Sequence, residues 1–232
     1  MNTPVFLVLL NLSFFAFGQP KHKQRGQGTD RLRIGGRIGS GLAAFQGKVI
    51  QGVANAPVLD ITLGGTCAYS LGTKWSIVTE LLYATVGNRQ SGTYSPYQSG
   101  DQKSLASSRV NTHYRLHYVQ IPILLKFHIP LEREQSPAIY LNGGLYTQTL
   151  LAARYTDFSN GYLSKKGENV RNAFQSFDYG IVVGTGVDLP TDYKGRYLIE
   201  LRYTLGLRNA MPTPHHEDIF NSALYLSMAY IF

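Results

Sequence analysis

Apolar side chains recur at every second position in eight segments of the sequence. In the clearest segment the odd positions from Tyr197 to Leu207 are all apolar or aromatic, and the even positions from Arg196 to Arg208 hold all four charges. A repeat of two places alternate side chains on opposite faces of a β-strand, whereas a helix would spread the arginines around its circumference. The pattern therefore predicts strands with one apolar and one polar face.

The other seven segments follow the same alternation. By their apolar faces they are Leu32–Leu42, Leu59–Tyr69, Trp75–Tyr83, Val119–Ile129, Ile139–Leu145, Phe177–Leu189 and Leu224–Phe232. Eight is an even number of strands, as bacterial single-chain membrane barrels have. Pro122 lies on the polar face of its segment and lacks an amide donor, so a bulge or a local bend is expected there.

The connections between these segments alternate between short and long. The short ones are Leu71–Lys74, Pro130–Ser136 and Pro190–Lys194, and the long ones are Gln46–Ala56, Asn88–Thr112, Ala152–Ala173 and Asn209–Glu217. Outer-membrane barrels have short periplasmic turns and long extracellular loops. The alternation therefore predicts an eight-stranded antiparallel transmembrane β-barrel with both termini in the periplasm.

The amino terminus differs from the rest of the chain. Residues 1–18 form an apolar run that ends at Ala16-Phe17-Gly18, although Met1 to Pro4 contain no lysine or arginine. The run is shorter than the roughly 20 apolar residues of a spanning helix, which favours a cleaved signal peptide over a membrane anchor. We expect a signal peptide over 1–18, a basic periplasmic tail over 19–31 and the barrel over 32–232.

Composition separates this chain from soluble β-proteins. Charged residues make up 16% of the sequence, with 24 glycines and 16 tyrosines. A lipocalin-like barrel or a β-sandwich would also alternate, but its exposed face would be richer in Lys and Glu. A closed membrane barrel leaves no backbone edge unpaired in lipid and is favoured. The net charge of +8 lies largely in the tail and first strand, so no nucleic-acid partner is expected. Cys67 is expected to face lipid.

Charged residues with inward parity form the main candidate site. They are Arg33, Arg37, Asp60, Glu80, Lys126, Asp178, Asp188, Arg196, Glu200, Arg202 and Arg208. The interior of an eight-stranded barrel is just wide enough for its own side chains, so charges there should be paired. A structural network is expected; a proton or ion path is the alternative, and an open porin channel is disfavoured.

Histidines offer weaker candidates. His215-His216-Glu217-Asp218 has metal-ligand residue types, but adjacent histidines on a loop rarely both reach one ion, so no metal site is expected. His113 and His117 share a strand face with Arg115, which suggests either a lipid-headgroup or lipopolysaccharide contact or a solvated strand extension. No nucleophile motif is present, so no catalytic residue and no cofactor are predicted.

Tyr118-Val119-Gln120-Ile121-Pro122-Ile123-Leu124-Leu125-Lys126-Phe127 resembles the hallmark strand of the outer-membrane β-barrel proteins common in Bacteroidota, the porin-family or PorT-like proteins. Three further predicted strand segments resemble the same family: Tyr140–Tyr146, Asp178–Val187 and Leu198–Leu207. The final strand ends on Phe232, which resembles the signal read by the barrel insertion machinery. The resemblance implies a fold and an outer-membrane location, but it implies no reaction.

Two non-enzymatic functions remain open from the sequence. In the first, the barrel is a stand-alone surface protein with a filled lumen, whose long loops contact ligands or lipopolysaccharide. In the second, it is an accessory subunit of an envelope complex, as the association of PorT with type IX secretion allows. An outer-membrane lipid-modifying enzyme is a lesser alternative.

Overall fold

The computed structural model describes residues 31–47, 53–94, 108–129, 137–159, 162–191, 195–211 and 218–232. They belong to one unit that spans Arg31–Phe232. The expected signal peptide and nearly all of the basic tail lie outside the described residues, as do His215, His216 and Glu217. Among the described residues, no helix combines the length and apolar character needed to cross a membrane.

Ten β-strands and one short 3₁₀-helix make up the described structure. The strands are β1 (Leu32–Gln46), β2 (Val53–Ala56), β3 (Val58–Ser70), β4 (Trp75–Tyr94), β5 (Ser108–Ile129), β6 (Ala138–Ser159), β7 (Tyr162–Asn169), β8 (Phe177–Pro190), β9 (Arg196–Gly206) and β10 (Phe220–Ile231), and the helix is Arg171–Ala173. Eight of them form an antiparallel ring in the order β1-β3-β4-β5-β6-β8-β9-β10, and β10 pairs back onto β1. The predicted eight-stranded antiparallel barrel is confirmed.

The alternation of the sequence becomes two faces of the barrel wall. Within β6, Leu145 is 65% exposed, whereas the next residue, Tyr146, is 2% exposed. The same contrast recurs on every strand of the ring, and it leaves a continuous outward band of Leu, Ile, Val and aromatic side chains. Such a band is stable only against lipid, because water would solvate it at high cost. Cys67 has the outward parity and pairs with Ile34 of β1.

Two predicted loops are largely strand. The expected loop Asn88–Thr112 is wrong at both ends, because β4 continues to Tyr94 and pairs with β5 from Ser108 onwards. The expected loop Ala152–Ala173 contains the end of β6, and β7 pairs with that end. These extensions carry polar residues on both faces, so they lack the apolar alternation that marked the lower strands. Backbone pairing with a neighbour, rather than burial, extends them.

Pro122 does not form the expected bulge. It pairs in register with Tyr146 of β6, and the shift in that ladder lies between His117 and Tyr118. The ladder between β4 and β5 keeps one register from the Thr79–Ile123 pair to the Leu82–Gln120 pair. The two positions between these pairs, opposite Pro122 and Ile121, are not paired. The missing N–H therefore interrupts hydrogen bonding without inserting a residue.

Inward tyrosines of β6 lie over inward glycines of β8. Tyr146 pairs with Gly180, and Tyr140 pairs with Gly186. A Cβ atom added at Gly186 would lie 2.6 Å from the ring and hydroxyl of Tyr140, and one at Gly180 would lie 2.7 Å from the ring of Tyr146. The glycines therefore make room for large rings in the lumen.

Candidate functional site

Four charged side chains meet in the middle of the lumen. Arg202 of β9 reaches Glu80 of β4 at 2.5 Å and Glu200 of its own strand at 2.6 Å. Arg37 of β1 lies 2.9 Å from Glu80 and 3.2 Å from Glu200, so each carboxylate contacts both guanidinium groups. The contact of Arg37 Nε with Glu80 is an ion pair without hydrogen-bond geometry. All four side chains are at most 5% exposed. We call these residues the central quartet.

Neutral groups complete the coordination of the central quartet. The Tyr140 hydroxyl and the Asn142 amide both donate to Glu200 at 2.9 Å, and Arg37 donates to the Ser227 hydroxyl at 2.6 Å. The Lys126 ammonium lies 4.0 Å from the centre of the Tyr140 ring, as in a cation–π contact. Buried ions cost several kcal/mol each unless they are paired and hydrogen-bonded. The four residues of the central quartet meet both conditions, whereas Lys126, among the described residues, has no carboxylate within 4.0 Å.

Asp60 and Asp178 are buried in the lumen but take a different kind of partner. Asp60 accepts hydrogen bonds from the Thr85 hydroxyl at 2.9 Å and from the Gly87 amide at 2.5 Å. Asp178 accepts from the side chains of Gln148 at 2.9 Å and Asn221 at 2.8 Å. The expectation that every lumen charge pairs with an opposite charge is wrong for these two residues. Amide and hydroxyl donors replace a cation because they can satisfy a carboxylate without burying a second ion.

The remaining predicted residues lie near the two ends of the barrel. At the end with short turns, Asp188 binds Arg196 at 2.5 Å and lies 3.5 Å from His128. Arg33, near the start of β1, is half-buried, and within the described residues it has no salt-bridge partner. Arg208 follows β9 at the opposite end and donates to the Phe177 carbonyl and the Gln175 side chain.

An apolar layer fills the lumen at the end with long strands, and the sequence analysis did not anticipate it. Four large side chains from three strands, Phe45, Leu116, Tyr118 and Leu150, pack with side chains that the connections bring inward. The connections contribute Phe174, Met211 and Ile219. Leu116, Leu150 and Ile219 are completely buried. The inward parity of large apolar residues on β1, β5 and β6 could have predicted the strand part of this layer from the sequence. The residues that the connections contribute follow no such pattern and could not be predicted.

No metal centre is evident in the part of the chain that the structure describes. Within it, no three residues among His, Cys, Asp and Glu are arranged to hold an ion. Asp218, the one described residue of the predicted His-His-Glu-Asp run, accepts a hydrogen bond from Asn209 at 2.7 Å. The central quartet and the apolar layer are therefore the two features of the lumen that constrain function.

A closed ring of eight strands with a lipid-facing exterior and a filled interior is the architecture of a small outer-membrane barrel. Residues 17–211 match the family described as outer membrane protein beta-barrel domain. The chain belongs to this family. Membership in the outer membrane protein beta-barrel family places the protein in the outer membrane. No curated protein matches the sequence.

Several solved structures of outer-membrane barrels are similar to this family member. OprG from Pseudomonas aeruginosa matches with a TM-score of 0.45 and 14% identity, over 87% of this chain and 95% of that one. Neisserial surface protein A matches with a TM-score of 0.45 and 10% identity, over 86% and 96%. Ail of Yersinia pestis, the attachment invasion locus protein, matches with a TM-score of 0.41 and 10% identity, over 87% and 99%.

Proposed function

We propose that this barrel is a non-enzymatic surface protein with a closed lumen, which makes its contacts through the end that carries the long strands. The filled lumen is the observation that supports this proposal. The central quartet joins β1, β4 and β9 across the interior, and the apolar layer seals the same interior nearer the long strands. Glu200 and Leu150 are both completely buried, so no water-filled passage borders either side chain.

The proposed orientation has the turns between β3 and β4 and between β8 and β9 in the periplasm. The long strands β4, β5 and β6 then project beyond the membrane on the outside. Outer-membrane barrels keep short turns in the periplasm, which supports this orientation. Both ends of the described barrel, at Arg31 and Phe232, lie at the turn end, where Ile34 pairs with Phe232.

Conductance across a planar lipid bilayer tests the closed lumen. We expect the purified barrel to insert without stepwise ion currents, because ions cannot pass two buried layers. Reproducible steps that scale with salt concentration would contradict the closed lumen. Insertion is checked separately, by the resistance of the barrel to added protease.

Cysteine labelling on whole cells tests the orientation. Ser91 lies on the long-strand end of β4, Thr73 lies in the turn before it, and both are exposed. Single-cysteine variants Ser91→Cys and Thr73→Cys are made in a Cys67→Ser background. We expect a membrane-impermeable maleimide to label only the first, and the reverse pattern would overturn the proposed orientation.

The role as an accessory subunit of an envelope complex, which the PorT-like resemblance implies, is tested by particle size. A mild-detergent extract is separated on a sizing column, and a particle of one barrel with its detergent belt is expected. Constant protein companions would replace the stand-alone role with that of a subunit. The lipid-modifying alternative predicts that His113→Ala and His117→Ala change the lipid A profile, whereas we expect no change.

A further inference from the structure

Five basic side chains gather on the outer wall of the barrel, across three adjacent strands. We call them the outer-wall basic cluster: Arg89 on β4, His113, Arg115 and His117 on β5, and Arg154 on β6. Arg89 pairs with His113, and Arg115 pairs with Arg154. Strand pairing therefore brings Arg89 and Arg154 to the three basic residues of β5.

The cluster contains two arginines placed directly opposite each other. Arg115 and Arg154 are cross-strand partners, and both side chains are exposed. Side chains opposite each other start from Cβ atoms about 4.5–5.5 Å apart, and like charges there destabilise the sheet. Within the described residues, no carboxylate lies within 4.0 Å of Arg89, Arg115 or Arg154, whereas the lumen arginines Arg37 and Arg202 are each paired with carboxylates. The outer arginines lack the anion that the inner ones have.

The histidines of the cluster respond to this concentration of positive charge. Burial, followed by the charges of Arg89 and Arg115, lowers the pKa of His113 below its usual value. Burial, followed by Arg154 and Arg115, likewise lowers the pKa of His117, although the interior carboxylate of Asp60 opposes this. Both shifts favour the neutral imidazole, and His117 Nδ1 forms a 2.5 Å hydrogen bond with the Tyr83 hydroxyl. The three arginines carry the charge of the cluster.

The cluster lies where the lipid-facing band ends. On β5 the outward apolar run extends from Ile129 to Val119, and the next outward residues are His117 and Arg115. On β6 the run ends at Leu151, shortly before Arg154. A side chain at this height lies at the level of lipid headgroups rather than in hydrocarbon or in bulk water. A planar guanidinium presents paired donors that match the oxygens of a phosphate.

We infer that the outer-wall basic cluster binds the phosphate groups of a lipid A-type glycolipid in the outer leaflet. Arg115 and Arg154 hold one phosphate between them, and Arg89 is close enough along the same face to contribute. A bound phosphate removes the repulsion between the paired arginines. The inference rests on the orientation proposed above, because only that orientation brings the cluster to the outer leaflet.

Lipid binding in detergent tests this inference without depending on orientation. The protein is purified in a non-ionic detergent, and its affinity for lipid A with two phosphates is measured by native mass spectrometry. We expect Arg115→Gln/Arg154→Gln to weaken binding by about 10- to 100-fold, because two charge-assisted contacts are lost. Arg31→Gln/Lys74→Gln removes the same charge from exposed residues at the turn end and should leave the affinity unchanged.

Three outcomes would overturn the inference. An equal loss of lipid A affinity in Arg31→Gln/Lys74→Gln would show that the overall charge of the protein, rather than the position of the arginines, determines binding. Equal affinity of the wild-type protein for lipid A stripped of both phosphates would show that the acyl chains alone bind. Competition by inorganic phosphate at the concentration of the lipid would indicate a site for a free anion instead.

Gel mobility before and after heating confirms that each variant is folded. Arg89→Gln, with a smaller expected loss of lipid A affinity, provides a second variant at the same site. A failed cell-labelling test with intact lipid A binding would reject the orientation alone.

Discussion

Removing one carboxylate from the central quartet should destabilise the barrel more than removing one of its arginines. The central quartet and Lys126 together hold three cations, Arg37, Arg202 and Lys126, against two anions, Glu80 and Glu200, so the formal charge of this group is 3 − 2 = +1. Glu200→Gln leaves 3 − 1 = +2. Arg37→Met leaves 2 − 2 = 0. The two variants change the same ion pair in opposite electrostatic directions.

The structure sets the expected magnitudes. Glu200 is completely buried and accepts bonds from both arginines, Tyr140 and Asn142. Its loss leaves Arg37, Arg202 and Lys126 with Glu80 as the one remaining carboxylate of the quartet. Breaking a buried ion pair in this way costs about 3–5 kcal/mol in the free energy of unfolding. After Arg37→Met, Arg202 still contacts both carboxylates. The loss in the free energy of unfolding should therefore be smaller, about 1–3 kcal/mol, which corresponds to the lost hydrogen bonds to charged groups.

Denaturant unfolding of the barrel in lipid vesicles measures the difference. Trp75 is the one tryptophan of the sequence and lies on the outer wall at 44% exposure, with its ring tilted by 48° against that of Phe127 and the two ring centres 4.7 Å apart. Its fluorescence therefore reports on transfer between lipid and water. Gel mobility with and without heating provides an independent measure of the folded fraction. Arg89→Gln on the outer wall is the control, with an expected change within about 0.5 kcal/mol.

The refuting result is a reversed or absent order. If Glu200→Gln and Arg37→Met each changed the free energy of unfolding by less than about 1 kcal/mol, the lumen would be hydrated enough to screen its charges. A larger cost for Arg37→Met would mean that hydrogen bonds, rather than the charge balance, decide the stability of the quartet. The double variant adds a check, since residues in one network should couple by about 0.5–3 kcal/mol.

Two further predictions concern the wall of the barrel. Gly186→Val should cost about 1–3 kcal/mol in unfolding free energy, because the new side chain meets the Ile199 carbonyl oxygen and the Tyr140 ring. Gly72→Ala, with nothing within 4 Å of its Cβ, should not lower it, and equal effects on the unfolding midpoint would contradict the close packing around Gly186. Cys67 has the outward parity and pairs with Ile34. In lipid vesicles its thiol should react with an apolar maleimide but not with a charged one, as measured by the increase in protein mass. Rapid labelling by the charged reagent would place the thiol in water.

Alternation alone was enough to predict the ring of eight strands. Each strand of a membrane barrel meets lipid on one face, so the solvent imposes a period of two on the sequence, and the segment from Arg196 to Arg208 shows it directly. The strand ends above the membrane were not predictable in the same way. At Arg89 the outward side chain is exposed and the inward neighbours Asn88 and Gln90 are polar, so no alternation in hydropathy marks this part of β4.

The central quartet could also be predicted only in part from the sequence. The sequence identified Arg37, Glu80, Glu200 and Arg202 as inward by parity, because parity depends only on position within one strand. Which of them meet depends on the stagger between strands that are distant in the chain. Arg37 and Glu200 are 163 residues apart, and their contact exists only because β10 closes the ring between β1 and β9.

The fold class, the lipid-facing surface and the inward parity of the lumen charges could be predicted from the sequence. The sharing of two arginines by two carboxylates, the neutral donors of Asp60 and Asp178 and the apolar layer in the lumen became visible only in the folded chain. The folded chain also sets Arg115 opposite Arg154 on the outer wall. The physical reason is that burial acts on each strand separately and leaves a local pattern, whereas register and ring closure are properties of strand pairs.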